Sequence, residues 1–241
     1  MRPRLFLFVS ALLLAPASAA QTEVGVGADL VNRYVWRGFD FGESFSIQPS
    51  VSVGAGGFEA GAWGSYALTS AGSNELDLFV SYTLGAVTLG VTDYYFPTMP
   101  PDLGIESSAD YFNFGSDGDG AHFIEPFVQV SGGDALPLTL TFATVAYNDP
   151  TRSSYLEAGY TAVVAETEIG VGVGSVFALT PDDDVAGAAF YGTNNNAAVT
   201  NLSLSIAREI PLTEQFALPI FGAYTVNPET ERAFLTFGIS L

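Results

Sequence analysis

The chain has no cysteine, no lysine and a single histidine, His122. Export compartments permit disulfides, so a fold with no cysteine has to hold together without them. Charge is scarce: 14% of residues are charged, against ~25% in soluble domains. It is also one-sided, with 26 acidic residues against seven arginines and a net charge of −19. Such a field disfavours nucleic acid and anionic membrane surfaces as partners. Strong acidity also points to a high-salt habitat, where screening weakens self-repulsion. Beyond the first residues there is no unbroken apolar run of the ~20 residues that a membrane helix needs. Yet 48% of the chain is hydrophobic. Apolar content without an apolar block is what strands give when lipid-facing and lumen-facing residues take turns. A closed barrel satisfies its backbone between strands and needs no staple.

The start has a different pattern. Met1-Arg2-Pro3-Arg4 precedes an apolar stretch from Leu5 to Leu14, and small residues follow at Ala17-Ser18-Ala19-Ala20. A basic start, a short apolar middle and an A-x-A-like end predict a signal peptide over 1–20, cut after Ala19 or Ala20. The competing reading is an uncleaved anchor, but the stretch is short for that. The mature part, 21–241, then holds five arginines against 26 acidic residues, a balance of −21.

Alternation is the main signal in this part. In Phe45–Ala55 one face carries Phe45, Ile47, Pro49, Val51, Val53 and Ala55, and the other Ser46, Gln48, Ser50, Ser52 and Gly54. Eleven alternating residues exceed the ~5–6 of soluble strands and match the ~9–11 of membrane strands. The same pattern predicts twelve strands, over 22–36, 44–55, 58–68, 75–84, 87–96, 122–131, 137–147, 154–164, 167–177, 198–207, 216–226 and 231–241. The fold class is therefore all-β: a transmembrane antiparallel up-and-down barrel of about twelve strands. The competing reading is a soluble β-sandwich.

Connection lengths agree, because outer-membrane barrels have short turns at one end and long loops at the other. Short turns are expected at Gly56-Gly57, Gly85-Ala86, 132–136, Ala165-Glu166 and 208–215. Long loops are expected at 97–121 and 178–197. Tyr34, Trp36, Tyr66, Tyr95, Tyr155 and Tyr224 would form an aromatic girdle near the outer strand ends. Phe58, Tyr82 and Phe216 would form one near the periplasmic ends. The last strand alternates through Ala233, Leu235, Phe237, Ile239 and Leu241. It resembles an outer-membrane C-terminal signal, although it ends on leucine rather than phenylalanine or tryptophan.

Asn32-Arg-Tyr-Val-Trp-Arg-Gly38 and the following Phe-Asp-Phe-Gly-Glu-Ser44 resemble the start of the TorF family of porins, long catalogued as conserved hypothetical bacterial proteins. The resemblance continues through Ile47-Gln-Pro49, Gly57-Phe-Glu-Ala-Gly-Ala-Trp-Gly-Ser65, Asn74-Glu-Leu-Asp-Leu78 and Gly90-Val-Thr-Asp-Tyr-Tyr-Phe-Pro97, with Tyr155-Leu-Glu-Ala-Gly-Tyr160 as a later element. It is dense over 24–97 and sparse afterwards. Arg33, Trp36, Arg37 and Gly38 are its more specific part. It implies a porin-like barrel in the outer membrane of a Gram-negative bacterium. It implies no particular solute.

If apolar faces meet lipid, parity turns Asp29, Glu59, Glu75, Asp77, Glu125, Glu157 and Glu168 inward, together with Arg33, Arg37 and Arg232. Expected pore-lining residues are Arg33, Arg37, Glu59, Glu75, Asp77, Glu125, Glu157 and Glu168. A carboxylate-lined lumen focuses cations, so weak cation preference is expected. Arg33 and Arg37, on one face of the first strand, would form a constriction or brace the wall as an ion-pair network. Twelve strands lie between the filled eight-stranded and the open sixteen-stranded barrels, which leaves patency open. The expected function is passive passage of small solutes or ions. One alternative is a barrel without an open pore, acting as a structural or interaction protein through Phe112-Asn-Phe114 or Phe190-Tyr191. Another is an outer-membrane hydrolase using His122 with Asp117, Asp119 or Glu125, but G-x-S-x-G is lacking and no enzyme is expected. Asp117-Gly-Asp119 and Asp182-Asp-Asp184 have oxygen ligands for Ca²⁺ but not EF-hand spacing, and solvated loop tips are the simpler reading. Gly170-x-Gly-x-Gly174 sits within a strand and is no phosphate loop. No cofactor and no bound metal are expected. The expected partners are outer-membrane lipid and small solutes or ions, with the oligomeric state open.

Overall fold

Each alternating segment folds as a strand. The computed structural model describes residues 22–70, 72–98, 110–116, 120–133, 135–181, 190–191 and 197–241; the expected signal peptide and both acidic loop motifs lie outside the described residues. The strands are β1 (Glu23–Val31), β2 (Val35–Trp36), β3 (Phe39–Asp40), β4 (Ser46–Ala55), β5 (Phe58–Ala67), β6 (Asn74–Leu84), β7 (Val87–Thr98), β8 (His122–Ser131), β9 (Leu138–Thr144), β10 (Ser153–Val164), β11 (Thr167–Ala178), β12 (Ala198–Pro211), β13 (Ala217–Asn227) and β14 (Arg232–Ser240). Leaving aside β2 and β3, the strands pair antiparallel in chain order, and β14 pairs back onto β1. The result is a closed twelve-stranded barrel, in which every wall strand has a neighbour on each side.

The register keeps the two faces apart. Val24, Val26, Val51, Leu204 and Leu235 point outward and are exposed, whereas Ser50, Ser52, Gly170, Gly172, Ser203 and Ser205 share the opposite parity. Where large rings face inward, small residues make room for them. Phe79 lies opposite Gly61, and Phe127 opposite Gly90. Each ring occupies the space a Cβ on its partner would need.

The first expected strand is too long, and the expected 137–147 shortens to β9. β1 stops at Val31 rather than at residue 36. Asn32 ends it: its amide nitrogen donates to the Leu235 carbonyl at 3.1 Å, and its Oδ1 accepts from the Phe237 N–H at 2.7 Å. The chain then leaves the wall and folds β2 against β3 as a separate hairpin. Arg37 and Gly38 form its two-residue turn, with φ of 52° and 86°, the primed-turn geometry that suits the strand twist.

Four of the five short turns fall where they are expected, while the expected turn at 208–215 shifts to 212–216 because β12 runs on to Pro211. Ala165 and Glu166 also form a tight turn, with φ of 48° and 63°. Neither residue suits the left-handed region, where an ordinary side chain costs ~1–2 kcal/mol. Replacing the pair by Asn-Gly removes this strain. It also removes the exposed Arg208–Glu166 pair, 3.2 Å apart, which is worth little. We expect a net gain of ~0.5–1.5 kcal/mol, read as a higher urea midpoint of the refolded barrel.

Candidate functional site

The hairpin of β2 and β3 lies inside the barrel and fills its long-loop half. Tyr34, Phe41, Tyr94, Phe96, Phe123, Tyr155, Phe190 and Tyr191 form one buried cluster, with Trp36, Phe39 and Trp63 packed against it. Two of the expected girdle residues, Tyr34 and Tyr155, are therefore core residues, at most 8% exposed; Tyr95 is equally buried, but on the outer face against Tyr111 and His122. Trp36, also expected in the girdle, packs into the plug. Of the proposed docking residues, Phe190 and Tyr191 belong to the plug, while Phe112 is exposed. Tyr66, Tyr224, Phe58, Tyr82 and Phe216 are exposed, as a girdle requires. The misplacement has two causes: alternation assigns a face only while the chain stays in the wall, which Tyr34 and Trp36 have left, and Tyr155 remains in β10 on the inward parity of Glu157.

At the centre of the plug stands an ion pair. Arg37 Nη1 and Nη2 lie 2.6 and 2.9 Å from the two carboxylate oxygens of Glu125. Tyr94 donates to Oε2 and Tyr191 to Oε1, both at 2.9 Å. Arg37 also bonds the Tyr191 hydroxyl. Its guanidinium stacks on Trp36 and Tyr155, 4.2 and 4.4 Å from the ring centroids. The Glu125 side chain is 1% exposed and that of Arg37 12%, so each charge depends on the other for its solvation. Burial raises the Tyr191 pKa, which keeps its hydroxyl a neutral donor.

The hairpin tip is tied to the far wall. Thr200 Oγ1 donates to the Arg37 carbonyl at 3.1 Å, and the Asn227 amide to the Gly38 carbonyl at 3.0 Å. A Cβ on Gly38 would overlap the Thr200 carbonyl. Close approach and left-handed φ together explain why glycine ends the Asn32–Gly38 motif.

The other expected lumen residues take distinct places. Arg33 sits 3.4 Å from Asp40 and 3.8 Å from Glu43, within its own hairpin segment. It therefore shares no ion pair with Arg37. Burial raises the Asp40 pKa, while the Gly42 N–H and Arg33 act the other way. Glu157 accepts from Tyr155 and, at 2.8 Å, from the Asn201 amide. Glu75 and Asp77 are buried on the inner face of β6, whereas Glu59 and Glu168 are exposed toward the short-turn end. Below the plug, Tyr34, Trp36, Trp63, Tyr94, Asp77 and Glu59 help line a cavity of about 410 Å³. The bulky residues that close the lumen were present in the sequence, but nothing in local alternation marks a segment that folds inward.

His122 faces away from the lumen, opposite Tyr95. Its Nδ1 lies 2.9 Å from Asp93 Oδ1, and its Nε2 lies 2.6 Å from the Tyr111 carbonyl. Phe114 stacks on the ring at 4.0 Å. Both nitrogens are thus engaged, and neither is free to take a nucleophile's proton. The partner is Asp93, not Glu125. A carboxylate on the outward face is costly in a barrel wall, and His122 gives this one a hydrogen-bond partner.

A family model described as "Bacterial protein of unknown function (Gcw_chp)" matches residues 15–114. No curated protein matches the chain. The crystal structure of an outer membrane channel from Pseudomonas putida F1 is similar at 12% identity and a TM-score of 0.43, covering 94% of this chain and 98% of that one.

The central pair makes a sharp prediction. Arg37→Met leaves Glu125 buried and unpaired and should cost about 3–5 kcal/mol. Adding Glu125→Leu should recover much of that loss, because a buried pair is often replaceable by apolar residues. Denaturant unfolding of the single and double variants measures the difference.

Proposed function

We propose that the chain is an outer-membrane barrel of porin-like type that passes small solutes with weak cation preference, and that the structure represents its plugged state. The observation that carries the reading is the closed wall: apolar side chains cover its outside, while carboxylates and small polar residues line its inside. The resemblance to the TorF porins supports it. The wall strands, mostly 9–14 residues long, suit a tilted crossing of an apolar layer. Glu59, Glu157 and Glu168 supply the negative lumen potential, while the charge of Arg37 is compensated by Glu125. Passage through the upper lumen requires the hairpin to shift, since its aromatics fill that half.

The plug favours one further reading, a barrel with no open state that serves as a structural or interaction protein. Planar-bilayer recording separates the two. Wild type should show low conductance, and Gly38→Ala, which prises the hairpin tip from Thr200, should raise it severalfold. Reversal potentials should favour cations; an anion preference would overturn the lumen argument. Silence in both proteins would leave the closed reading standing. The membrane assignment has its own check. Leu204→Arg places a charge at mid-strand on the outer face and should destabilise the lipid-folded barrel by ~2–4 kcal/mol, while Ser52→Arg, facing inward, should cost far less.

A further inference from the structure

One row of the inner wall has an unusual composition. Trp63 on β5 pairs with Asp77 on β6, and Asp77 pairs with Tyr94 on β7. A carboxylate is thus set between two aromatic side chains on adjacent strands. The hairpin adds two more rings: Tyr34 lies 5.4 Å from Trp63, and Trp36 lies 5.4 Å from Tyr94, centroid to centroid. These residues and Glu59 line the 410 Å³ cavity under the plug, a volume within the ~300–1,000 Å³ of small-ligand sites.

The carboxyl groups beside this cavity are incompletely partnered. Asp77 is 7% exposed, and its Oδ1 is buried without a hydrogen-bond partner among the described residues. Glu75, two residues along the same inward face, is 1% exposed and has a buried oxygen in the same condition. No arginine forms an ion pair with either among the described residues. Arg37 stacks on Trp36, but its charge is met by Glu125. A carboxyl group buried this deeply ionises only with a counter-charge beside it, and the aromatic faces around Asp77 attract cations that shed water easily.

We infer that this cavity is a binding site for a quaternary ammonium compound, held by the Trp36, Trp63, Tyr34 and Tyr94 rings with Asp77 as its counter-charge. Methyl groups would contact the rings, and the diffuse positive charge would face the carboxylate. Glu59, exposed toward the short-turn end, would draw the cation in. A compact hydrated ion such as Na⁺ would gain little from the rings. The inference deepens the channel reading by naming a solute class, but the binding it describes does not require conduction.

Trp36 and Trp63 are the only tryptophans in the chain, and both line the cavity, so intrinsic fluorescence reports on this site. The mature barrel, refolded in octyl glucoside (whose headgroup carries no cation), would be titrated with choline chloride. The control is 3,3-dimethyl-1-butanol, an uncharged compound of the same shape. Choline should give a saturable fluorescence change, and the alcohol none at equal concentration. Asp77→Asn should weaken choline binding about tenfold or more. Glu59→Gln, at an exposed position that folding tolerates, should weaken it about threefold by the loss of a more distant charge. No saturable change, an equal response to the alcohol, or unaltered affinity in both variants would overturn the inference. If Asp77→Asn fails to refold, the alcohol control and Glu59→Gln still decide. A barrel that binds choline but never conducts overturns the channel reading alone. One that conducts but does not bind choline overturns this inference alone.

Discussion

Closure of β14 onto β1 is the constraint on which the rest depends. An open sheet of this composition would present unpaired edges and two incompatible faces. Once closed, it has an inside and an outside, and each face of the alternation has one environment. Asp29 pairs with Ser240 and Leu30 with Ile239 across the seam, so polar meets polar inward and apolar meets apolar outward. A slip of one residue would reverse every side chain of the strand. Closure therefore fixes register, and register fixes which carboxylates share the lumen.

A twelve-stranded cylinder is wider than the eight-stranded barrels that wall side chains fill. This chain fills the long-loop half with a segment taken out of the wall. The inner-facing and plug aromatics would crowd a cylinder of uniform bore, and glycines and serines elsewhere on the inner face offset their volume. The lumen is consequently uneven along its axis: packed with rings around Arg37 and Glu125, and open near Glu59 and Glu168. Dryness in the packed half strengthens the central ion pair, since a low local dielectric magnifies both the attraction and the penalty for losing it. A hairpin held this way behaves as a unit, because shifting it exposes Arg37 and Glu125 together.

The wall was legible in the sequence because a strand's two faces are written into consecutive residues. Segments such as Leu202–Ile206 and Ile169–Val173 declare their orientation locally, and the short turns between strands follow from where alternation stops. The plug was not legible, because what distinguishes Tyr34 from Tyr66 is not local. Both are tyrosines near the end of an alternating run. The difference lies at Asn32, whose side chain binds the backbone of β14, more than 200 residues away. A primed turn at Arg37-Gly38 is the nearest thing to a local signal, and it reads as such only when the run 22–36 is allowed to break. Likewise the partners Arg37 and Glu125 were both assigned inward, but their pairing comes from the hairpin crossing the lumen. For His122, sequence proximity pointed to Glu125, whereas strand pairing brings Asp93.

The choice of arginine over lysine at the centre follows from the geometry. The site asks a single cation to bind both oxygens of Glu125, stack between Trp36 and Tyr155, and meet the Tyr191 hydroxyl. A planar guanidinium has the donors for the first and third tasks and flat faces for the second. An ammonium would satisfy Glu125 as a point charge but would keep its need for hydration in a pocket walled by rings. It would also leave the two aromatic faces without a partner of matching shape. The same reasoning separates the plug from the cavity beneath it. Above, aromatic rings and a carboxylate are saturated by a cation the chain provides. Below, around Asp77, rings and a carboxylate recur in similar proportion, and among the described residues the chain provides no cation to match.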